Sequence, residues 1–245
     1  MVEIPQDFVL ATETTPFPDI ERALEEPNGL IAIGGSLSTE RLLDAYHQGI
    51  FPWYSEQDPV LWYSPNPRMV ITPDTLHVSK SLAKTLRSNK FQIKVDVDFD
   101  KIIHHCRTVD RKDQTGTWID EDMVNAYTQL HHQGFVRCVA VYQQSKLVGG
   151  LYGVALGGVF FGESMFSTRN DSSKVALVAL VEFSKQVGIK MIDCQMTTAH
   201  LLSLGAREIK RKVFLKNLKI HIEEPTLNGS WNNSSASIKT KLFQN

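Results

Sequence analysis

Two short apolar segments carry the polar side chains best placed for chemistry. In FGESMF, Glu163 ends an apolar run, and alternation along a strand places it on the same face as Met165. In MIDCQM, Asp193 and Gln195 share one face of a short strand, and Cys194 lies on the other. Burying a carboxylate alone is costly, so such a group either meets a buried cation or serves a ligand. The pattern favours a substrate site, and the alternative is a strand end or edge strand that shows its polar face to water.

Nucleophilic and metal chemistry have less support in the sequence. Cys194 is predicted to point away from Asp193, and no histidine is placed to activate it, so a buried structural cysteine is the better interpretation. His104–His105 and His131–His132 fall in helical segments without ligand spacing. The three cysteines contain no CxxC pair, which argues against a disulfide framework or a zinc site and indicates a reducing compartment.

One cluster of basic residues has the spacing of a helix face. In SKSLAKTLRSNK, Lys80, Lys84 and Arg87 recur at i, i+4 and i+7. A compact cationic stripe of this kind suits a phosphate backbone. The alternative is a solvated helix face with no ligand.

These residues need a scaffold, and the sequence pattern predicts one. MVIT and FQIKVDV are typical of strands, with a helix in the basic segment between them, and DEDMVNAYTQLHHQG is typical of a helix that Gly134 ends. Three strands follow, VRCVAVYQ, KLVGGLYGVAL and VFFGESMF, joined by turns short enough for antiparallel hairpins. SSKVALVALVEFSKQVG then predicts a buried helix, and KMIDCQM a short strand. The fold class is therefore α+β, or mixed α/β, with a central and mostly antiparallel sheet.

Composition changes along the chain predict three regions. Residues 1–66 are rich in turn-formers and aromatics, and STERLLDAYHQG within them predicts a short helix capped by Ser38 or Thr39. Prolines at 65 and 67 favour extended backbone and indicate a junction. A catalytic domain is then expected over 67–225, and a flexible polar tail over 226–245.

The overall composition limits the class of protein. The chain has 245 residues, 42% of them hydrophobic, which is enough to bury a sizeable core. Its formal net charge is −1, so any surface for nucleic acid must be a local patch. MVEIPQDFVL has no basic leader before an apolar stretch, and no apolar run approaches the ~20 residues of a membrane helix. A soluble, cytoplasmic protein is expected.

Ordered motifs carry a family resemblance over about residues 17–218. They are EEPNGLIAIGGSLS, AYHQGIFPWYS, LWYSPNPR, TGTWI, LVGGLYGVALGGVFFGESMFS, SSK, IDCQ and SLGAREI. In these segments the chain resembles bacterial leucyl/phenylalanyl-tRNA–protein transferases. The resemblance implies a small N-terminal domain followed by a domain like that of the GNAT acyltransferases. GNAT enzymes usually bind acetyl-CoA through a glycine-rich loop, and the corresponding STRNDSSK lacks glycine, which agrees with a different donor.

The resemblance also implies a reaction. The family transfers leucine or phenylalanine, and less readily methionine, from tRNA to a protein that begins with Arg or Lys, which marks that protein for N-end-rule degradation. The donor ester is already activated, so no metal, nucleotide or other cofactor is expected. The enzyme must place a neutral amine near the ester carbonyl, manage a proton and stabilise the oxyanion. A monomer is the family default.

Site roles follow from the resemblance residue by residue. Asp193 and Gln195 match the family's proposed catalytic pair, and Glu163 matches a glutamate that orients the acceptor. An amide has no useful basicity near neutrality, so Gln195 is expected to accept a hydrogen bond from the attacking amine. Asp193 then polarises the arrangement or accepts the proton. Proton transfer to the leaving 3′-hydroxyl of the substrate fits equally well.

The resemblance extends to the donor. An apolar amino-acid pocket is expected from the matching positions Leu151, Phe160, Met165, Leu180 and Ile192. Two of these, at 151 and 180, are smaller than the family residues, so the pocket shape differs. Trp53 and Trp118 match tryptophans that help bind the 3′-terminal adenosine, and the stripe on the basic helix matches a helix that contacts tRNA.

Two other functions remain open from the sequence. One is a GNAT acetyltransferase that uses acetyl-CoA on a small amine, which the missing glycine-rich loop disfavours. The other is a module that binds tRNA without chemistry, which would leave Glu163, Asp193 and Gln195 unexplained. The preference between leucine and phenylalanine, and the full acceptor range, are not predicted.

Overall fold

The computed structural model describes residues 5–55, 57–109, 119–225 and 231. The first part of the chain forms a four-stranded sheet in the order β1-β2-β4-β3, in which β1 and β2 are parallel. Its elements are β1 (Val9–Leu10), β2 (Leu30–Gly34), α1 (Thr39–His47), β3 (Phe51–Pro52) and β4 (Leu61–Tyr63). Ser38 caps α1 by accepting a hydrogen bond from the Arg41 amide, as predicted.

A seven-stranded sheet forms the centre of the molecule, in the order β11-β5-β10-β9-β8-β7-β6. Every neighbouring pair is antiparallel except β9 and β10, so the predicted α+β class with a mostly antiparallel sheet is confirmed. The strands are β5 (Arg68–Ile71), β6 (Gln92–Val95), β7 (Val136–Gln143), β8 (Lys146–Leu156), β9 (Val159–Ser167), β10 (Met191–Gln195) and β11 (Arg207–Ile209).

Helices cover both faces of this sheet. They are α2 (Lys80–Arg87), α3 (Phe99–Thr108), α4 (Glu121–His132), α5 (Ser172–Val187), α6 (Ala199–Ser203) and α7 (Arg211–His221). Helix α5 is apolar around most of its circumference and packs on β7, β8 and β9. Helices α3 and α4 pack on the opposite face. The predicted strands β5 to β10 and the predicted helices α2, α4 and α5 are confirmed, because their hydrophobic periods match the faces that they bury.

The apolar core has two clusters, one on each face of the seven-stranded sheet. One cluster joins the side chains under α5 to that sheet. The other includes residues of the four-stranded sheet together with residues of α1, α3, α4 and α7. Tyr46 on α1 and Tyr127 on α4 are both fully buried in this second cluster. The two sheets therefore share the second cluster, in which the four-stranded sheet and α1 pack against the strands that carry Glu163 and Asp193.

Strands β9 and β10 run side by side only at their start. Their paired residues end at Phe161 and Asp193, and each strand then contains a bulge. The β9 bulge places Glu163 with the tyrosines of α1 and α4, while Met165 packs in the cluster under α5. The predicted common face for Glu163 and Met165 is therefore wrong, because a bulge breaks the strict alternation of a strand.

The predicted division into 1–66, 67–225 and 226–245 stays a prediction. Most of the last stretch lies outside the described residues, but Trp231 within it is buried and packs on Phe183 and Phe160, with ring centroids 5.0 and 6.2 Å apart. Across the described ranges, no helix has the length and apolarity needed to cross a membrane.

Candidate active site

A cavity of about 550 Å³ opens where β9 and β10 diverge. Its apolar wall contains all five side chains predicted for the donor pocket, which are Leu151, Phe160, Met165, Leu180 and Ile192. Glu163, Gln195 and Trp53 also line it. Side chains separated by more than 140 positions in the sequence thus meet around one space. Asp193 is fully buried behind this wall and is not part of the lining.

Asp193 forms a buried ion pair with Arg68. Nε and Nη2 of Arg68 donate to Oδ1 and Oδ2 of Asp193 at 2.8 and 2.6 Å, and both side chains are fully buried. The Gln195 backbone N–H also donates to Oδ1, at 2.9 Å. Both carboxylate oxygens are therefore engaged by donors, and the pair has the two-pronged geometry that repays desolvation best.

Arg68 is held from three parts of the chain. Its guanidinium lies between the rings of Phe51 and Phe214, at 4.8 and 4.5 Å from the ring centroids. Its Nη1 donates to the carbonyl of Gly49 at 3.1 Å. Gly49 has a φ of +74°, and a Cβ there would lie 2.9 Å from the Phe214 ring, so this turn requires glycine. Arg68 is not among the site residues predicted from the sequence, although an arginine directly before the apolar run of a predicted strand was a visible signal.

Gln195 occupies the bulge of β10 with a φ of +60°, a left-handed conformation that few residues other than glycine adopt. The hydrogen bond that its backbone N–H donates to Oδ1 of Asp193 supports this backbone geometry. Its side-chain Nε2 donates to Oε1 of Glu163 at 2.9 Å. Because the side-chain nitrogen of Gln195 donates to Glu163, its side-chain oxygen is the end available to a ligand in the cavity.

Glu163 lies at the centre of a buried polar group. Oε1 accepts from the Tyr46 hydroxyl at 2.8 Å, Oε2 lies 2.8 Å from the Tyr127 hydroxyl, and the two hydroxyl oxygens are 2.6 Å apart. Burial raises the pKa of Glu163 to about 7, against the lowering effect of its hydrogen bonds. Burial also raises the pKa of both tyrosines well above the usual range, so each hydroxyl keeps its proton.

The two tyrosines were not identified as site residues from the sequence. Tyr46 belongs to the helix predicted in STERLLDAYHQG, and Tyr127 to the helix predicted in DEDMVNAYTQLHHQG. A tyrosine on a buried helix face is usually core, and its hydroxyl then needs a partner. That requirement for a partner was the only local signal.

The predicted tRNA-binding residues fall into separate places. Trp53 is half-buried at the cavity, with its ring edge-on to Tyr63 at 5.7 Å. Trp118 lies outside the described residues. Lys80, Lys84 and Arg87 are all exposed on α2, away from the cavity lining.

Helix α2 presents its stripe because its other face is anchored. Ser79 caps the helix, Leu82 is buried, and Thr85 donates to Asp171 at the start of α5 at 3.0 Å. Within the described part of the chain, no acidic side chain forms a salt bridge with the three cations of the stripe.

Other chemistry finds little support around the cavity. Cys194 lines it, but burial raises the pKa of its thiol well above the usual range, so a thiolate is disfavoured. Among the described residues, no group of three or more His, Cys, Asp or Glu side chains is arranged to hold a metal ion.

Solved structures show only distant similarity. L-PGS from Bacillus licheniformis aligns with a TM-score of 0.40 at 10% identity, covering 65% of this chain and 52% of that protein. An aminoglycoside acetyltransferase, meta-AAC0020, from an uncultured soil metagenomic sample aligns with a TM-score of 0.36 at 17% identity, covering 58% of this chain and 95% of the other. Similarity at this level does not assign a function.

Sequence comparison identifies the family. The profile described as "Leucyl/phenylalanyl-tRNA protein transferase" matches residues 70–219, and the profile of that family's N-terminal domain matches 35–66. The leucyl/phenylalanyl-tRNA–protein transferase of Nitrosomonas eutropha is 53% identical over 89% of this chain and 92% of the relative. That of Pseudomonas entomophila is 50% identical over 91% of this chain and 97% of the relative. The predicted resemblance is confirmed, and the chain belongs to the leucyl/phenylalanyl-tRNA–protein transferase family.

Proposed function

We propose that this chain transfers leucine or phenylalanine, and less readily methionine, from aminoacyl-tRNA to proteins with an N-terminal Arg or Lys. The reaction forms a peptide bond and marks the acceptor for N-end-rule degradation. Family membership supports the reaction class. The observation that carries the proposal is a cavity in which an apolar wall meets the polar side chains of Glu163 and Gln195. The enzyme is proposed to work as a monomer in the cytoplasm, without a cofactor.

The donor side chain occupies the apolar part of the cavity in this proposal. Leucine and phenylalanine share only hydrophobic bulk, and the wall built from Leu151, Phe160, Met165, Leu180 and Ile192 offers no hydrogen bond to a side chain. A polar donor side chain would therefore be buried without a partner, at a cost of roughly 1–3 kcal/mol. The pocket excludes such donors more firmly than it separates two apolar ones.

The reacting centre lies at the polar end of the cavity. The free side-chain oxygen of Gln195 accepts a hydrogen bond from the attacking α-amine, and Glu163 orients the acceptor. Asp193 acts through position: both of its oxygens are engaged by Arg68, and its hydrogen bond with the Gln195 amide supports the bulge. Its geometry supports a positioning role better than proton acceptance.

The tRNA is proposed to reach from the cavity to α2. Trp53, and Trp118 by resemblance, stack on the 3′-terminal adenosine and its neighbourhood, where each aromatic contact is worth ~1–3 kcal/mol. The exposed cations of Lys80, Lys84 and Arg87 bind the phosphate backbone. Their lack of salt-bridge partners in the described ranges leaves them available to phosphates.

One assay separates this function from its two competitors. The protein is incubated with labelled Phe-tRNA and an Arg-initiated peptide, and in parallel with labelled acetyl-CoA and the same peptide. Label that reaches the peptide from the tRNA alone supports the proposal. Transfer from acetyl-CoA alone would indicate an acetyltransferase, and tRNA binding without transfer would indicate a binding module.

A further inference from the structure

The polar group around Glu163 contains three short oxygen–oxygen contacts. Tyr46 and Tyr127 lie 2.6 Å apart, and each lies 2.8 Å from one oxygen of the Glu163 carboxyl. A hydrogen bond needs one proton between its two oxygens, and each tyrosine hydroxyl supplies one. If Glu163 is ionised, two protons serve three contacts, and one pair of oxygens faces each other without a proton.

A protonated Glu163 supplies the missing proton. Its Oε2–H then donates to Tyr127, Tyr127 donates to Tyr46, and Tyr46 donates to Oε1, which closes a ring. Oε1 still accepts from Gln195 Nε2 through its second lone pair, at 2.9 Å. The geometry therefore suits a carboxylic acid whose proton has a fixed place, and we call Glu163, Tyr46 and Tyr127 the proton ring.

We propose that the proton ring is the acid–base group of the transfer reaction, in which Glu163 accepts the proton that the attacking amine loses. The inference rests on the proposed function and deepens it. Glu163 is the member that lines the cavity and can touch the substrate. Tyr46 and Tyr127 are positioning residues that set the proton affinity of Glu163 from behind.

The groups that face Glu163 support exchange of a proton near neutrality. When Glu163 is ionised, Tyr46 on α1 and Tyr127 on α4 both donate hydrogen bonds to it, and the Tyr152 ring on β8 lies 5.6 Å from that of Tyr127. The Asp193 carboxylate opposes a negative charge on Glu163, and its own ion pair with Arg68 limits that effect. Desolvation is the largest influence, and the resulting pKa of about 7 is close to that of a free α-amine, ~7.7–8.0.

The proton balance of the step is complete. The amine nitrogen forms a bond to the ester carbonyl carbon and loses one proton to Oε2 of the ionised Glu163. The proton ring closes. The bond between that carbon and the 3′-oxygen of the tRNA then breaks, and the leaving oxygen takes the proton from Glu163. The products are a peptide bond and a free 3′-hydroxyl, and Glu163 is ionised again.

The pH dependence of kcat/KM tests this role with the full chain, Phe-tRNA and an Arg-initiated peptide. Glu163→Gln should lower kcat/KM at pH 8 by about 100-fold, as expected for loss of acid–base catalysis. Tyr127→Phe opens the ring and removes a hydrogen-bond partner of Glu163 in both protonation states, so the midpoint of the rising limb should shift by roughly 0.5–1 unit. The amine contributes equally to both profiles, so the shift belongs to the enzyme.

Tyr142→Phe is the matched control, because the Tyr142 hydroxyl also donates to a carboxylate, that of Asp98, away from the cavity. Its profile should coincide with that of the unsubstituted protein. A Tyr127→Phe limb that does not move, or a Glu163→Gln variant within threefold of full activity, overturns the proposal. Tyr46→Phe is the substitute if Tyr127→Phe fails to fold.

Infrared spectroscopy tests the protonation state without activity. The difference spectrum between the unsubstituted protein and Glu163→Gln at pH 6 should contain the carbonyl stretch of one protonated carboxyl, which disappears by pH 8.5. Absence of that band at pH 6 overturns the proton ring. If the protein transfers no amino acid at all, the proposed function fails, and the band still decides whether Glu163 holds a proton.

Discussion

At the scale of single residues, the ion pair of Arg68 and Asp193 supports the site from behind Gln195. Neither side chain touches solvent. Removing both charges from water is costly, and the two-pronged contact, the Gly49 carbonyl and two aromatic rings together offset that cost. A carboxylate held in this way keeps a fixed position, which is what a supporting residue behind Gln195 requires.

Breaking this pair should destabilise the fold. Arg68→Met leaves Asp193 charged and unpaired in the core, so we expect the free energy of unfolding to fall by about 3–5 kcal/mol. Urea unfolding followed by fluorescence measures it. The double variant Arg68→Met/Asp193→Leu should be more stable than Arg68→Met alone, because it removes the unpaired charge. If the loss of unfolding free energy in the double variant equals the sum of the losses in Arg68→Met and Asp193→Leu, the two residues are not directly coupled.

The donor pocket gives a second prediction at this scale. Met165→Ala enlarges the cavity, and leucine fills the added space less well than phenylalanine does. We therefore expect kcat/KM to fall more for Leu-tRNA than for Phe-tRNA. Met191→Ala is the control, since Met191 is buried outside the cavity lining. Equal losses for both donors in Met165→Ala would place Met165 in the ordinary core.

At the scale of elements, the site depends on where two strands stop being regular. The bulges of β9 and β10 turn Glu163 and Gln195 toward each other, and the divergence of the strands leaves room for a substrate. Regular strands would have continued the ladder and closed the cavity. Interrupted pairing is therefore what creates the site.

Local patterns explain which elements could be predicted. Helices α1, α2, α4 and α5, and the meander of β7, β8 and β9, follow from caps, turns and hydrophobic period. The proton ring and the ion pair could not be found this way. Tyr46 lies 117 positions from Glu163, and Arg68 lies 125 positions from Asp193, and no periodic signal connects residues so far apart. The bulges were missed because they break the very alternation that predicts a strand.

Helix α2 provides a prediction at this scale. Replacing Lys80, Lys84 and Arg87 with alanine should weaken tRNA binding and flatten the dependence of log affinity on log salt, by somewhat less than one unit per lost contact. The effect should be similar for different tRNA bodies, because phosphate contacts carry no base information. Affinity measured by filter binding at several salt concentrations checks this.

The matched control removes the same charge from another helix. Lys212, Lys216 and Lys219 are exposed on α7 with the same i, i+4 and i+7 spacing. Their triple alanine variant should keep the original salt slope. If the salt slope changes equally in both triple variants, tRNA affinity depends on net charge alone. The α2 stripe is then a solvated helix face without a specific role in tRNA binding.

At the scale of the whole molecule, the buried Glu163 makes stability depend on pH. Its pKa is about 7 in the folded protein and near 4.5 when exposed, so between these values the folded state binds more protons than the unfolded state. The contribution of Glu163 to the free energy of unfolding is therefore highest below pH 4.5. It decreases as the pH rises from 4.5 through 7, and above that range it stays at its lower value. The total change corresponds to about 3 kcal/mol.

Glu163→Gln should remove that dependence. The free energy of unfolding of the unsubstituted protein should fall from pH 5 to pH 8, and that of the variant should lack this fall. Urea unfolding of both proteins at both pH values measures the difference. Glu121→Gln, at an exposed position outside the cavity, should leave the dependence unchanged. If the free energy of unfolding changes with pH in the same way for both proteins, Glu163 has the same pKa in the folded and unfolded states, which would contradict the prediction.

The clamp around Arg68 has a consequence for how such a protein could be recombined. Gly49 and Phe51 precede the expected junction at residue 66, Phe214 comes near the other end of the chain, and all three hold the same guanidinium. A chimera that takes its first 66 residues from a relative would inherit two of the three clamp residues, and one of the three residues of the proton ring, from a different parent. Compatibility at those few contacts, more than overall similarity of the parents, should decide whether the hybrid is active.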